Sequence, residues 1–237
     1  MTKLSVNINK IALVRNSRGG NMPNVELTAL NIERFGADGI TIHPRPDARH
    51  IRYSDAFELK ASIATELNIE GNPTDDFMAM VLEVRPAQVT LVPDAPDALT
   101  SSAGWDTITH RERLSSICAA AKAAGVRSSI FVDPDPEMVR GAAACGADRV
   151  ELYTEGYAAA YEADRKAAIA PYVAAAVAAA ECGLGLNAGH DLSLDNLQYF
   201  VEMIPSVDEV SIGHALVCDA LYFGLENTVA LYQRQLK

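Results

Sequence analysis

The chain has 237 residues, enough to bury one substantial core. With 49% hydrophobic and 22% charged residues it has the composition of an ordinary globular protein, and a net charge of −11 argues against general nucleic-acid binding or an acidic membrane surface. An anionic substrate would then have to be met by a local basic cluster.

The first twenty residues, MTKLSVNINKIALVRNSRGG, hold no apolar run of signal-peptide length. The most apolar long stretch, residues 157–182, is broken by Glu162, Asp164, Arg165, Lys166 and Pro171, so no membrane span is expected. Four cysteines, Cys118, Cys145, Cys182 and Cys218, lie far apart with no C-x-x-C pair. They fall mostly in Ala-rich helical segments and read as small core residues of a reduced, cytoplasmic protein.

Short apolar or β-branched runs recur near residues 4–8, 39–43, 66–70, 88–92, 128–132, 149–153, 184–188 and 209–213. Segments of helical spacing separate them, near 24–35, 54–66, 75–84, 108–124, 136–145, 157–182, 193–203 and 215–234. Strands alternating with helices predict parallel pairing through right-handed crossovers, and runs read as apolar on both faces predict a buried sheet. The junctions repeat. Gly36-Ala37-Asp38 precedes the second strand and Gly146-Ala147-Asp148 the sixth, while Gly125 and Gly183 stand where helices end before the fifth and seventh. Eight such units without a break in composition predict an α/β fold, a (βα)8 TIM barrel forming a single domain over residues 1–237. An open doubly wound sheet is the competing architecture. It would show a G-x-G-x-x-G turn after the first strand, where Gly19-Gly20 reads instead as a loop tip.

A barrel gathers its reactive groups at the C-terminal ends of its strands. Here the first strand ends in Asn7-Ile8-Asn9-Lys10, the second in His43-Pro44-Arg45 and the third in Glu70. The sixth ends in Glu151, the seventh in Asn187-Ala188-Gly189-His190 and the eighth in Gly213-His214. His50 falls in the loop after the second strand, and only His110 reads as a surface helix residue. A lone histidine is usually a surface or core residue, but several at one pole of one fold indicate a site. Glu70 closes an otherwise apolar strand, so burial is expected to raise its carboxyl pKa toward the range of proton transfer near neutral pH. Glu151 is similar, with a structural ion pair as the competing reading.

Lys10, Arg15, Arg18, Arg45 and Arg49 gather in the first two strand-to-helix loops of an otherwise acidic chain. Arginine forks match phosphate oxygens in bidentate geometry. Surface solvation explains Arg15 and Arg49 well, and Arg18 and Arg45 less well. The sequence Ser211-Ile212-Gly213-His214-Ala215 opens directly into a helix, whose N-terminal N–H groups suit a second anion. Two anion sites suggest phosphorylated small-molecule substrates. A metal site is the competitor. Metal-dependent hydrolase barrels carry a His-x-His pair on the first strand, and this chain has Asn7-Ile8-Asn9, with no H-E-x-x-H and no cysteine cluster.

These residues lie in stretches that resemble the pyridoxine 5′-phosphate synthase family. The stretches are 6–12 (VNINKIA) with 15–19 (RNSRG), 36–45 (GADGITIHPR) with 49–51 (RHI), 67–70 (LNIE), 91–93 (LVP), 150–154 (VELYT), 186–190 (LNAGH) and 212–215 (IGHA). They come in order over nearly the whole chain. The resemblance implies a transferase-class synthase of vitamin B6 biosynthesis that joins 1-deoxy-D-xylulose 5-phosphate to 3-amino-2-oxopropyl phosphate and needs no cofactor and no metal. By matching motif, His43 and Glu70 would accept protons, His190 would donate one, and Glu151 would stabilise a charged transition state. Asn7, Arg18, Gly213 and His214 would hold the amino-ketone phosphate. Asn9, Lys10, Arg45, His50 and Thr100 would meet the pentulose phosphate, with Arg45 and His50 as cationic phosphate ligands. Residues 93–105 resemble a lid after the fourth strand, and the family implies a homo-octamer. Two departures stand out. Asn9-Lys10 replaces an Asp-His pair, and Asp191 replaces a glycine whose backbone N–H serves the substrate. Another phosphate-handling barrel, an isomerase or an aldolase, is the alternative, with Lys10 its one candidate Schiff-base lysine.

Overall fold

Polar caps and glycine stops divide the chain into the expected units. Asn24 accepts a bond from Leu27 N at 2.6 Å and opens α2 (Val25–Arg34). Thr74 caps α4 (Asp75–Val84) in the same way, and Asp135 with Pro136 opens α6 (Pro136–Ala144). The two Gly-Ala-Asp junctions do the same work twice. Gly36 and Gly146 turn the chain at φ +102° and +80°. Asp38 and Asp148 then accept the backbone N–H of Leu4 and Ser128 on the preceding strand, at 2.9 and 2.8 Å. Asp208 repeats this contact with Leu186 at 2.9 Å.

The computed structural model describes residues 1–94 and 103–237. Among these, eight strands pair in parallel in chain order: β1 (Lys3–Asn7), β2 (Gly39–Ile42), β3 (Glu66–Gly71), β4 (Gln88–Leu91), β5 (Arg127–Val132), β6 (Arg149–Tyr153), β7 (Gly185–Gly189) and β8 (Glu209–Ile212). Pairing of β8 with β1 closes the barrel. The remaining helices are α1 (Asn9–Asn16), α3 (Tyr53–Ser62), α5 (Arg111–Ala123), α7 (Glu155–Glu181), α8 (Leu197–Met203), α9 (His214–Phe223) and α10 (Leu225–Gln235). The predicted (βα)8 barrel is the observed fold. No helix among the described residues is long and apolar enough to cross a membrane.

Three features differ from expectation. The first strand stops at Asn7, and Asn9-Lys10 open α1, a helix that apolar spacing did not announce because Leu13 and Val14 point to solvent. The final helix is two, α9 and α10, separated at Gly224 with φ +78°. The strands are not apolar on both faces. Leu4, Val6, Ile40, Ile42, Leu67, Ile69, Val150 and Leu152 are buried in the apolar layer, while the residues between them bond to each other inside the barrel. Ser5 and Thr41 share a hydrogen bond of 2.7 Å, and Thr90 Oγ1 donates to Asn68 Oδ1 at 3.1 Å. A small closed barrel accepts a polar interior when its groups find partners across the lumen, whereas the helix-facing side has only apolar neighbours to offer.

Candidate active site

The first turn after each early strand is tied to the next. Asn7 Oδ1 accepts from Asn9 N at 3.0 Å, and Asn9 Oδ1 accepts from His43 N at 2.9 Å. Asn7 Nδ2 also lies 3.4 Å from Glu70 Oε2. This chain of contacts sets His43, one residue past β2, beside Glu70 on β3, with Nδ1 and Oε2 3.9 Å apart. Both side chains are nearly buried.

The electrostatics make this pair neutral. Burial pushes Glu70 well above the usual carboxylate range, and Glu151, Asp94 and Glu209 push it further. Burial, then Arg45, His50 and Arg49, hold His43 well below the usual imidazole value. Both shifts favour the neutral forms of the two groups. Glu151 does not end its strand as expected but lies at its middle, inside the lumen, where Thr90 Oγ1 donates to it at 3.4 Å. Burial and the nearby Glu209 raise its pKa to about 8. Asn187 is likewise mid-strand, bonded to Arg149 at 2.8 Å and Glu209 at 3.4 Å, and so belongs to the lumen.

On the opposite side of the mouth, His190 and Asp191 follow β7 with φ +89° and +59°. Two consecutive non-glycine residues in this region store strain. It also explains why a glycine suits position 191 and why the aspartate there is a real departure. Asp191 Oδ2 lies 3.0 Å from His190 Nδ1, and the Tyr153 ring packs edge-on against His190 with centroids 5.1 Å apart. Thr154 Oγ1 donates to the carbonyls of Gly189 and His190 and holds the turn. His214 does not end β8 but opens α9, with Gly213 as the residue before it. A Cβ on Gly213 would stand 3.1 Å from Asn7 Cβ, so these two residues form one wall. Arg18 and His214 are both exposed. The first N–H groups of α9 have no partner within the helix.

Arg45 is buried and pairs with Asp94 at 2.7 Å. They line a pocket with His43, Asn72 and Phe77. Asn72 Nδ2 donates to Asp94 O at 2.7 Å, and its buried Oδ1 has no partner among the described residues. His50 stands beside His43 with ring centroids 6.3 Å apart. Its expected cationic state is not found, because burial, then Arg45, Lys10 and Arg49, lower its pKa to about 4. Lys10 is half-buried at the start of α1. Arg49 forms an exposed pair with Asp47 at 2.7 Å, as surface solvation suggested. Arg15 reverses that reading. It is 2% exposed and grips Asp55 with both nitrogens, at 2.7 and 2.9 Å. Thr100 and most of the expected lid lie outside the described residues, as 95–102 are not among them. The two flanks are anchored by Asp94 and by Trp105, whose Nε1 donates to Leu91 O at 3.1 Å.

The profile of the family described as "Pyridoxal phosphate biosynthesis protein PdxJ" matches residues 4–237. The chain belongs to that family. It is thus an enzyme of vitamin B6 biosynthesis. A protein of Cytophaga hutchinsonii named pyridoxine 5′-phosphate synthase is 63% identical over 237 residues, covering 100% of both chains. One of the same name from Porphyromonas gingivalis is 58% identical over 236 residues, covering 100% of this chain and 99% of its own. Among solved structures, N-(5′-phosphoribosyl)anthranilate isomerase from Pyrococcus furiosus superposes with a TM-score of 0.64 at 12% identity, covering 100% of this chain and 98% of its own. At that identity the likeness concerns the fold alone.

Sequence reasoning missed Asp94 and Asn72 as members of this mouth. The rule that reactive groups follow strands would have found Asp94, which stands three residues past β4. Gly189 is demanded by Glu151, since a Cβ there would come within 2.5 Å of Oε1. Only the packed barrel reveals that contact.

Proposed function

We propose that the protein is a pyridoxine 5′-phosphate synthase. It condenses 1-deoxy-D-xylulose 5-phosphate with 3-amino-2-oxopropyl phosphate to pyridoxine 5′-phosphate, inorganic phosphate and water. The observation that carries this reading is the buried His43–Glu70 pair in the mouth of a barrel whose full-length relatives at 58% and 63% identity bear the name of that synthase.

The reaction needs imine formation, enolisation, dehydration and loss of one phosphate, so protons must move several times. A pair that holds one proton between two neutral groups serves such a sequence. His43 takes the first proton, Glu70 delivers the one it carries, and the deprotonated carboxylate then accepts the next. His190, steadied by Asp191, works from the other side of the mouth as a donor. Glu151 stabilises a charged transition state from inside the barrel. The amino-ketone phosphate lies against Asn7, Arg18, Gly213 and His214, on the N-terminus of α9. The pentulose phosphate meets Asn9, Lys10, Arg45, His50 and Thr100, and Asn72 Oδ1 offers an acceptor for one of its hydroxyls. His50 enters as a neutral donor, and an arriving phosphate dianion would raise its pKa. Asp191 can still offer its backbone N–H. Lys10 stands at the rim of the mouth and not within a strand, which counts against a Schiff-base aldolase.

No cofactor or metal is assigned a step. A reduced, cytoplasmic setting fits the four free cysteines. A homo-octamer is proposed from the family, and the exposed side chains of Leu221, Tyr222 and Phe223 provide apolar surface for such contacts.

The test is incubation of EDTA-treated protein with both phosphates, assaying pyridoxine 5′-phosphate and released phosphate together. Equal amounts of the two products are expected. Absence of product would overturn the assignment and make Lys10 and Asp191 marks of another substrate.

A further inference from the structure

The segment between β2 and α3 carries Arg45 and His50 but has no helix or strand of its own, and it passes through Ala48 at φ +51°. A non-glycine residue in that conformation persists only where its surroundings hold it. The last turn of α1 supplies the hold. Asn16 Nδ2 lies within hydrogen-bond distance of three successive carbonyls, Ala48 and Arg49 at 3.1 Å and His50 at 2.7 Å, and shares its two N–H protons among them. Behind it, Arg15 NH2 donates to His50 O at 3.1 Å, and Arg15 Nε donates to Asn16 Oδ1 at 3.0 Å. Arg52 donates to the same Asn16 oxygen at 3.0 Å. Asp55, the buried partner of Arg15, accepts Arg52 N at 2.8 Å at the start of α3. The imidazole is fixed as well, since His50 Nδ1 accepts from Ile51 N at 2.9 Å and leaves Nε2 for a ligand.

The other end of α1 is tied to His43 through Asn9. An eight-residue helix is about 12 Å long, and α1 links the two histidines through contacts at both of its ends. We infer that Asn16, backed by Arg15, is a positioning residue that sets the His50-bearing loop relative to His43 and thereby governs capture of the pentulose phosphate. The inference rests on the proposed function for the identity of that substrate. Asn16 touches none of the groups assigned to the amino-ketone phosphate, so the two substrates should respond differently.

The experiment uses Asn16→Asp in the full-length protein. This change keeps the acceptor that Arg15 and Arg52 use and removes the donor that holds the three carbonyls. The expected result is a rise of about tenfold in KM for 1-deoxy-D-xylulose 5-phosphate, with kcat and the KM for 3-amino-2-oxopropyl phosphate within about twofold. Hydrogen exchange at the amides of Ala48, Arg49 and Ile51 should quicken about tenfold, with the melting temperature nearly unchanged. If Asn16→Asp fails to fold, Asn16→Ser is measured in its place. Unchanged exchange at these amides would overturn the clamp. An equal rise in both KM values, or a fall in kcat alone, would overturn its selectivity for one substrate. Should the parent protein make no product, faster exchange would still support the clamp, and the failure would belong to the functional assignment.

Discussion

Glu66 and Glu70 occupy the same inward face of β3, at its first residue and at its last but one, yet their carboxyls are held in opposite states. At the bottom of the barrel, partial burial pushes Glu66 up, but bonds from Arg127 and Lys3 outweigh it and hold the pKa at about 2. At the top, burial lifts Glu70 and further carboxylates add to the rise. Arg45 lies close enough to oppose that rise but is spent on Asp94. At the bottom, Glu66 is matched with two cations and serves stability. At the top, no arginine or lysine among the described residues pairs with Glu70, which suits the proposed proton transfer. What separates structure from chemistry here is the partner, not the residue type.

The largest expected effect comes from Glu70→Gln. It should lower kcat by about 10²–10⁴-fold while leaving the melting temperature little changed, because the amide replaces a carboxyl that already favours its neutral form. Near-normal turnover would remove Glu70 from the mechanism and collapse the contrast with Glu66.

Glu151→Gln sharpens the contrast through pH. A carboxyl raised to about 8 contributes stability that is fully present below about 4.5 and is lost as pH rises through 8. Each unit of that shift is worth about 1.4 kcal/mol. The parent should therefore lose stability relative to the variant between pH 5 and pH 9. His43 and His50 have lowered pKa values and act in the reverse sense, favouring the fold as pH rises through 6.5, but they cancel in the difference between the two proteins. Parallel denaturation midpoints at pH 5 and pH 9 would mean that Glu151 is ionised at rest.

Glu66→Gln should cost about 1 kcal/mol, a modest figure because the pair is about one-third exposed, and should leave kcat within about twofold. A large loss of turnover would show that the bottom of the barrel reaches the chemistry. The smallest effect is expected from Asp191→Gly. Relief of the left-handed backbone should stabilise by about 1 kcal/mol, with kcat changed by less than about threefold. A much larger drop in kcat would make the Asp191–His190 contact a working part of the site.

Much of this arrangement is legible without coordinates. Gly36 and Gly146 marked the ends of helices because few other residues turn a chain there cheaply, and the repeated Asp38 and Asp148 marked the strands that follow. His43 and Glu70 stood out because a polar group closing an apolar run needs a reason. Arg15 was misread because a helix whose neighbours Leu13 and Val14 face solvent carries no amphipathic signature, so its burial against Asp55 left no local trace. The polar lumen was misread for a related reason. Strands alternate strictly, but the runs are short and Ser, Thr and Asn blend into them.

By itself, then, the sequence determined the eight units, their parallel order and the pole at which the reactive groups collect. Those depend on periodicity, caps and breakers, which act within a few residues of where they stand. Only the tertiary structure decided which carboxylates have cations, that His50 rests neutral, and that Asn16 holds a loop 32–34 positions away. Such properties depend on distance and dielectric between groups remote in the chain, and barrel closure sets both.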